Sequence, residues 1–540
     1  MRYMVYKAIK KIRLFRNFVE QIETRMEILY PGNRHKIIIH TELELIKIAF
    51  MDVLVFVAFM LYGNWDIVYM FMGICVMYVL AKCSINASYD KLELKLLHQF
   101  EKFIQDVRFQ FKYDEMIEEA LYDALQGTED EMALQGNLIY ESLNQASAQS
   151  DSYIEIAPNH FFMTFYALCE TVKNYGDKVI DGKSSFLTNL SYLKEDVNIE
   201  ILKRERINAM FMGLMGVCIF PLFAIKPICI WGIQNIPGLK FYYEGIAGNI
   251  TNILITVLTV VIVNVIMKLR YPLEYENHKS RWIEWILSKK PIDRILMKRI
   301  SKNYRHYYNM DSFLKSIVYK YNIKEFMVYR FGMGMITFLV SSVLMIRVGL
   351  YQKGVWGIVL SITLILFCTV TAYYYEFLML MLRRRLLKLN REEEVVRYQS
   401  VIMILMNMDR ITLETILEWM EKFAVVFKSV IEKMTDSIIY KGNTVFENAK
   451  NEVQFLPFER LLDCFIASDR IGIRRAFSDI VSDRLYYVEK HKQENEIMIG
   501  NKALIAKFIA FIPMCMVICF VLVVPFVYQG LQQLWAFQLI

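Results

Sequence analysis

The chain has 540 residues, 55% of them hydrophobic and 14% aromatic, with a mean hydropathy of +0.29 and a formal net charge of +7. That composition excludes a soluble multidomain chain, while the 22% charged fraction excludes a bare bundle of spanning helices and requires sizeable aqueous blocks. Nine cysteines with no CxxC, mostly in apolar or cytosolic-looking stretches, exclude a disulfide scaffold.

In chain order, residues 1–45 carry KAIKKIRLFR without a cleavable apolar leader and read as a basic amphipathic segment on the inner membrane face. Residues 46–82 hold two short apolar runs, Ile48 to Tyr62 and Ile67 to Ala81, joined by Gly63-Asn64-Trp65-Asp66. At 1.5 Å per residue each run is roughly 22 Å, short of a ~30 Å hydrocarbon core, so they form a hairpin of short spans or a re-entrant pair. Clear spans follow at 208–225, 249–267, 327–346, 355–375 and 508–528, which makes about seven in an all-α integral membrane protein.

Of 63 Lys and Arg residues, 57 fall in 1–45, 82–206, 268–325 and 382–507. The positive-inside rule therefore places the N-terminus and these blocks in the cytoplasm, and the C-terminus outside the cell membrane. The domain plan is 83–206, a first cytosolic helical bundle; 207–268, two spans; 269–325, a basic connector; 326–381, two spans; 382–507, a second bundle; and 508–540, a last span with an external tail. The connector has Trp282, Trp285, Tyr304, Tyr307 and Tyr308 among its cations, a composition suited to anionic lipid and a poor one for nucleic acid.

The two blocks, 124 and 126 residues long, repeat several landmarks in the same order. Gly136-Asn137 matches Gly442-Asn443, Tyr175-Gly176 matches Ile471-Gly472, and Phe220-Pro221 matches Ile512-Pro513. Apolar residues recur at helical spacing in Leu97, Phe100, Phe103, Ile104 and Val107, and in Val401, Ile402, Leu405 and Met408. Each block reads as a helical bundle, and the two as homologous.

With these landmarks the chain resembles the integral-membrane platform proteins of type II secretion and type IV pilus machines, the F family, and within it the Tad (tight adherence) branch, as two tandem members fused. The resemblance covers roughly residues 85–268 and 327–530. It implies a non-catalytic platform that couples a cytosolic ATPase to pilin extraction and pilus assembly or protein secretion. The partners it implies are that ATPase, pilin subunits, further copies of the chain and membrane lipids. The family pattern has an acidic residue before the later glycine: Asp469 stands there in the second block, but Lys173 and Asn174 in the first.

No catalytic, metal or cofactor constellation stands out. The seven histidines, at 35, 40, 98, 160, 278, 306 and 491, form neither HExxH nor a Cys/His cluster. Residues 176–184, GDKVIDGKS, approach a phosphate loop but have five residues between the glycines where four are needed, and no strand precedes them. They read as a turn between helices. Within the spans, Asp52 is the lone acid, near a span end, and Asn249, Asn252, Thr256, Thr259 and Asn264 form a polar seam suited to hydrogen bonds between helices.

The first block is net acidic, with Asp114, Glu115, Glu118, Glu119, Asp123, Glu129, Asp130 and Glu131 uninterrupted by any cation. That run is either a solvated face or a docking surface for a basic partner such as the ATPase, with Asp469, Arg474 and Arg475 the corresponding candidates in the second block. A secondary transporter, a membrane enzyme and a structural membrane scaffold are the alternative functions.

Overall fold

The computed structural model describes residues 13–144, 153, 156–177, 179–180, 182–270, 286–287, 290–316, 322–349, 355–406, 411–453, 455–477, 484–527 and 529–530. The most basic part of the N-terminal segment, Trp282, Trp285 and the last ten residues lie outside the described residues. The chain is all-α, and its only strands among the described residues are the pair Val179–Ile180 and Lys183–Ser184.

Five helical stretches are long and apolar enough to cross a membrane: Arg34–Gly63, Ile67–Asp114, Ser185–Asn235, Ala247–Arg270 and Lys492–Val527. Much of the hairpin's apolar surface, including Phe50, Leu54, Leu61 and Ile74, is exposed to the surroundings, as lipid-facing residues are. The two remaining expected spans fall within the helices Ile323–Gly349 and Val355–Leu405.

In helix α1 (Arg13–Leu29) the described part of the apolar face packs on protein. Val19, Ile22, Met26 and Leu29 are buried in the same core as Leu96, Leu97 and Phe100, and Arg25 reaches Asn86 at 2.7 Å. Its amphipathic pattern is satisfied by protein, because α3 supplies a second apolar stripe beside it.

Helices α2 (Arg34–Gly63) and α3 (Ile67–Asp114) form the first hairpin, and both are far longer than their apolar runs. Asn64 and Trp65 take positive φ, 52° and 63°, and the Asp66 side chain caps the start of α3. Gly63 lets the turn close, since a Cβ there would lie 2.3 Å from Tyr69 Cβ. The short runs thus continue as helix into polar flanks, and α2 alone spans roughly 45 Å at 1.5 Å per residue.

The C-terminal half of α3 belongs to a first helical unit, with α4 (Ile117–Gln126), α5 (Asp130–Asn144), α6 (His160–Tyr175) and α7 (Ser185–Phe211). Phe100, Phe103, Phe162 and Phe165 stack at its centre, Phe100 on Phe162 with centroids 3.9 Å apart. From α7 the chain breaks at Met212-Gly213, where Gly213 has φ 84°, and enters α8 (Leu214–Asn235). Helix α9 (Ile246–Arg270) follows, and after it α10 (Lys290–Lys302), α11 (Tyr304–Ser316) and α12 (Ile323–Gly349).

Helix α13 (Val355–Leu405) ends in the core of a second unit, with α14 (Leu413–Phe423), α15 (Lys428–Lys441), α16 (Thr444–Val453) and α17 (Leu456–Ile471). Tyr398, Phe427, Phe446, Phe458 and Phe465 form its aromatic centre. The short α18 (Ile473–Ala476) leads on towards α19 (Arg484–Ala510), and α20 (Ile512–Val517) continues it beyond a break at Phe511.

Helices α7 and α19 are each 27 residues long and lie side by side. Glu195 faces Lys492 at 4.0 Å, Arg206 pairs with Glu496, and farther along Cys218 Sγ approaches the Ala510 carbonyl at 3.7 Å. Later residues of one meet later residues of the other, so the two helices run parallel into a shared apolar cluster containing Leu222, Val263, Ala506 and Ala510.

Candidate functional site

The acidic run is divided by the fold into a paired part and a bare part. Glu118 is held by Lys173 at 3.0 Å, and Glu131 by Lys95 at 2.9 Å and Gln99 at 3.1 Å, with Glu129 also on Gln99. Burial tends to raise the Glu131 carboxyl, but the Gln99 and Lys95 contacts prevail and hold it below the usual carboxylate range. Asp114 ends α3 with Oδ2 buried and without a hydrogen-bond partner. Glu115 caps that helix in the left-handed region at φ 54°.

The bare part is Glu115, Glu119 and Asp123, all exposed and without an ion pair among the described residues. Exposed aromatic and thioether side chains lie among them in sequence: Phe109, Tyr113 (72% exposed), Met116 and Tyr122. Exposed aromatics next to acids form a surface suited to protein contact. The signal was in the sequence, as aromatics interleaved with the acids, but the run's charge alone hid it.

In the second unit Asp469 accepts from Asn443 Nδ2 at 3.0 Å, so the Gly442-Asn443 landmark and the acid before Gly472 meet in space. Arg474 and Arg475 are exposed on α18. In the first unit Lys173 donates to the Leu143 carbonyl at 2.6 Å and to Asn144, besides holding Glu118. Lys173 thus ties α6 to α5 and α4.

The repeat landmarks are matched unequally. Gly176 and Gly472 both end a 16-residue helix at φ 76° and 83°, each returning its N–H to the carbonyl four residues back. Gly136 and Gly442 are not equivalent: Gly442 caps α15 at φ 51°, whereas Gly136 lies inside α5. A Cβ on Gly136 would meet Leu125 Cδ2 at 2.4 Å, so this glycine serves a helix crossing. Pro221 sits inside α8, whereas Pro513 stands in the first turn of α20.

After Gly176 the loop-like segment forms the two-stranded turn noted above. Asp177 accepts from the Phe186 N–H at 2.9 Å and Ser184 caps α7 through the Leu187 N–H at 3.0 Å. Lys178 and Asp181 lie outside the described residues.

Within the apolar helices, Thr256 and Thr259 donate to carbonyls of their own helix at 2.7 and 2.8 Å, not to a neighbour. Asn264 alone of the seam bridges helices among the described residues, accepting from Lys82 Nζ at 3.1 Å. Asp52 shares the inward stripe with Leu45, Ile48 and Phe59, and its Oδ1 is buried without a hydrogen bond.

Two buried ionic constructions were not foreseen. Glu394, 2% exposed, accepts from the backbone N–H groups of Val425, Val426 and Phe427 at 3.1, 2.6 and 3.1 Å, and from the Tyr398 hydroxyl. It closes the loop before α15. Burial, followed by the adjacent Glu394 charge, pushes the Tyr398 phenol well above its usual range.

The second lies where α6 and α7 face α13. Arg204 bridges Glu200 at 2.8 Å and Glu93 at 2.6 Å, and Lys203 reaches Glu200 at 3.3 Å. Burial would raise the Glu200 carboxyl, but Lys203 and Arg204 overcome it and hold it down at about 2. His160 starts α6 beside them; burial, then the Arg397 guanidinium, keep it neutral and well below 6.5. Glu200 with Lys203 and Arg204 is an ordinary helical i,i+3 and i,i+4 arrangement, whereas the Glu93 and Arg397 partners are distant in sequence and leave no local pattern.

Among the described residues no group of three His, Cys, Asp or Glu side chains could hold a metal ion. Comparison with protein-family models, with curated proteins and with solved structures finds no match.

Proposed function

We propose that this chain is a non-catalytic membrane platform of a Tad-like pilus or secretion machine, with about seven spans, a cytoplasmic N-terminus and an external C-terminus. Its two units lie in the cytoplasm, where they engage an ATPase, and its spans engage pilin subunits leaving the bilayer. The observation that carries the reading is the shared exit from the two units. In each, a 16-residue helix stops at a positive-φ glycine, and a 27-residue helix then leads into an apolar stretch.

The bare acids Glu115, Glu119 and Asp123 are the motor-facing charges of this reading, with Asp469, Arg474 and Arg475 as the second contact. Exposed charges of one sign steer an oppositely charged partner and are screened beyond about 8 Å at physiological salt. Reversing Glu115, Glu119 and Asp123 to Lys is expected to weaken co-purification of the ATPase and reduce piliation at unchanged protein level. A control reversal of Glu118 removes the Lys173 pair instead and is expected to lower stability. Normal motor binding and normal pili in the triple variant would reject this docking face. Unimpaired pilus assembly and secretion in a strain lacking the chain would reject the platform reading itself.

A further inference from the structure

Between the two units lies a cavity of about 90 Å³, room for several waters or one tetrahedral oxyanion. Its polar wall comes from three helices: His160 and Thr164 on α6, Glu200 and Lys203 on α7, Arg397 and Ser400 on α13. Acceptors and donors on this wall are unevenly matched. Glu200 is already committed to Lys203 and Arg204, and Asp196, the other wall carboxylate, also has a partner. Thr164 donates to the His160 carbonyl at 2.8 Å.

The remaining donors are unused. Among the described residues Arg397 makes no ion pair or hydrogen bond, and neither His160 ring nitrogen nor the Ser400 hydroxyl has a hydrogen-bond partner. Beside them the Asn159 Nδ2 is buried without an acceptor. A wall of donors around an unpaired, half-buried guanidinium favours an acceptor that also carries negative charge, since water satisfies the hydrogen bonds but not the charge.

We propose that this cavity binds a small oxyanion of the phosphate class, held by Arg397 from the second unit and by His160 and Ser400 across the joint. The ion takes donors from both units and so favours their closed arrangement. It also places negative charge next to His160, which reverses the effect of Arg397 and makes the imidazole easier to protonate. The assignment is independent of the platform reading, because it rests on the wall of the cavity alone.

The test uses the full chain purified in detergent, with inorganic phosphate replacing chloride at constant ionic strength. The readouts are the thermal midpoint and the fluorescence of Trp419, which packs against both cores. A midpoint that climbs with phosphate concentration is expected, with sulfate acting similarly and ADP no better than free phosphate. Arg397→Ala is expected to weaken the phosphate response by about tenfold or more without lowering the phosphate-free midpoint, while Arg397→Lys keeps part of it. Should Arg397→Ala fail to fold, Ser400→Ala and His160→Gln must each weaken the response. Equal responses in wild type and Arg397→Ala, or no response in the millimolar range, overturn the proposal and leave a water-filled joint. A response to ADP without one to phosphate overturns it in favour of a nucleotide.

Discussion

Glu394 concentrates more hydrogen bonds on one buried carboxylate than any other side chain described above. Three backbone N–H groups and a phenol converge on it, and bonds to a charged acceptor contribute about 1.5–3 kcal/mol each way of counting. Glu394→Gln keeps the shape but removes the charge and turns one acceptor into a donor facing N–H groups. It is expected to destabilise the second unit by about 2–3 kcal/mol, read as a lower thermal midpoint and faster proteolysis near residue 425. Tyr398→Phe removes one of the four bonds and should have the smaller effect.

The ionic joint makes a separate, pH-dependent contribution at the same scale. Glu200 is depressed from 4.5 to about 2, so its stabilisation is complete above the unfolded value and disappears as pH falls from 4.5 through 2. His160 is depressed from 6.5, so the unfolded chain takes up its proton first and stability falls as pH drops below 6.5. Both act on the acid side. The thermal midpoint is expected to be flat from neutrality to about pH 9 and to fall beyond that as the unfolded chain ionises the phenol that burial keeps neutral at Tyr398. It is expected to decline below about pH 6.5, with His160→Gln removing the first part of the acid decline and not the second.

Among whole elements, the glycines separate conformational need from steric need. Gly176 and Gly472 have open space around them yet occupy backbone regions reserved for glycine, so alanine at either is expected to lose about 1–3 kcal/mol. Gly136 has ordinary helical geometry and a crowded neighbour, the tip of Leu125. Because that tip can turn aside and alanine favours helix by about 1 kcal/mol, Gly136→Ala should be close to neutral. Thermal midpoints of the three variants decide the order. A loss at Gly136 as large as at Gly472 would contradict it.

These glycines also show what could be read from the sequence. The Gly-Asn pairs at 136 and 442 look alike as letters, but a helix crossing and a helix end make different demands, and only the partner Leu125 distinguishes them. Gly63-Asn64-Trp65-Asp66 was legible because a tight turn is written in adjacent residues. The lengths of α2 and α3 were not, since apolar runs end where lipid would end and helices end where caps lie. The acidic run was visible in full, yet its neutralised half depends on Lys95 and Lys173, distant in sequence. The joint cavity was invisible for the same reason, and Glu394 stood unnoticed within the charged stretch 391–394.

For the whole molecule, the proposed orientation puts Cys229 near the outer face and residues 290 and 450 inside. A membrane-impermeant thiol reagent applied to intact cells is expected to label Cys229 or no native cysteine. Cysteines introduced at residues 290 and 450 should react only after lysis; labelling of residue 450 in intact cells would invert the orientation. The parallel pair of α7 and α19 gives a second check at this scale. Arg206→Glu should loosen that pair and lower the midpoint, and Glu496→Arg in the same chain should restore it, by about 0.5–1 kcal/mol for a half-exposed pair.

Helix α3 runs without interruption for 48 residues, from the Gly63-to-Asp66 turn to the heart of the first unit. At 1.5 Å per residue that is a rod of roughly 72 Å, with no loop along it to absorb a rotation. If it pivots near its middle, a tilt of about 10° carries each end through roughly 6 Å, in opposite directions. Movement imposed on the first unit is thereby converted, at nearly unit leverage, into a lateral stroke of the Gly63-to-Asp66 tip. Two adjacent glycines placed near Ile85 would put a universal joint in this shaft, leaving both ends folded but mechanically deaf to one another.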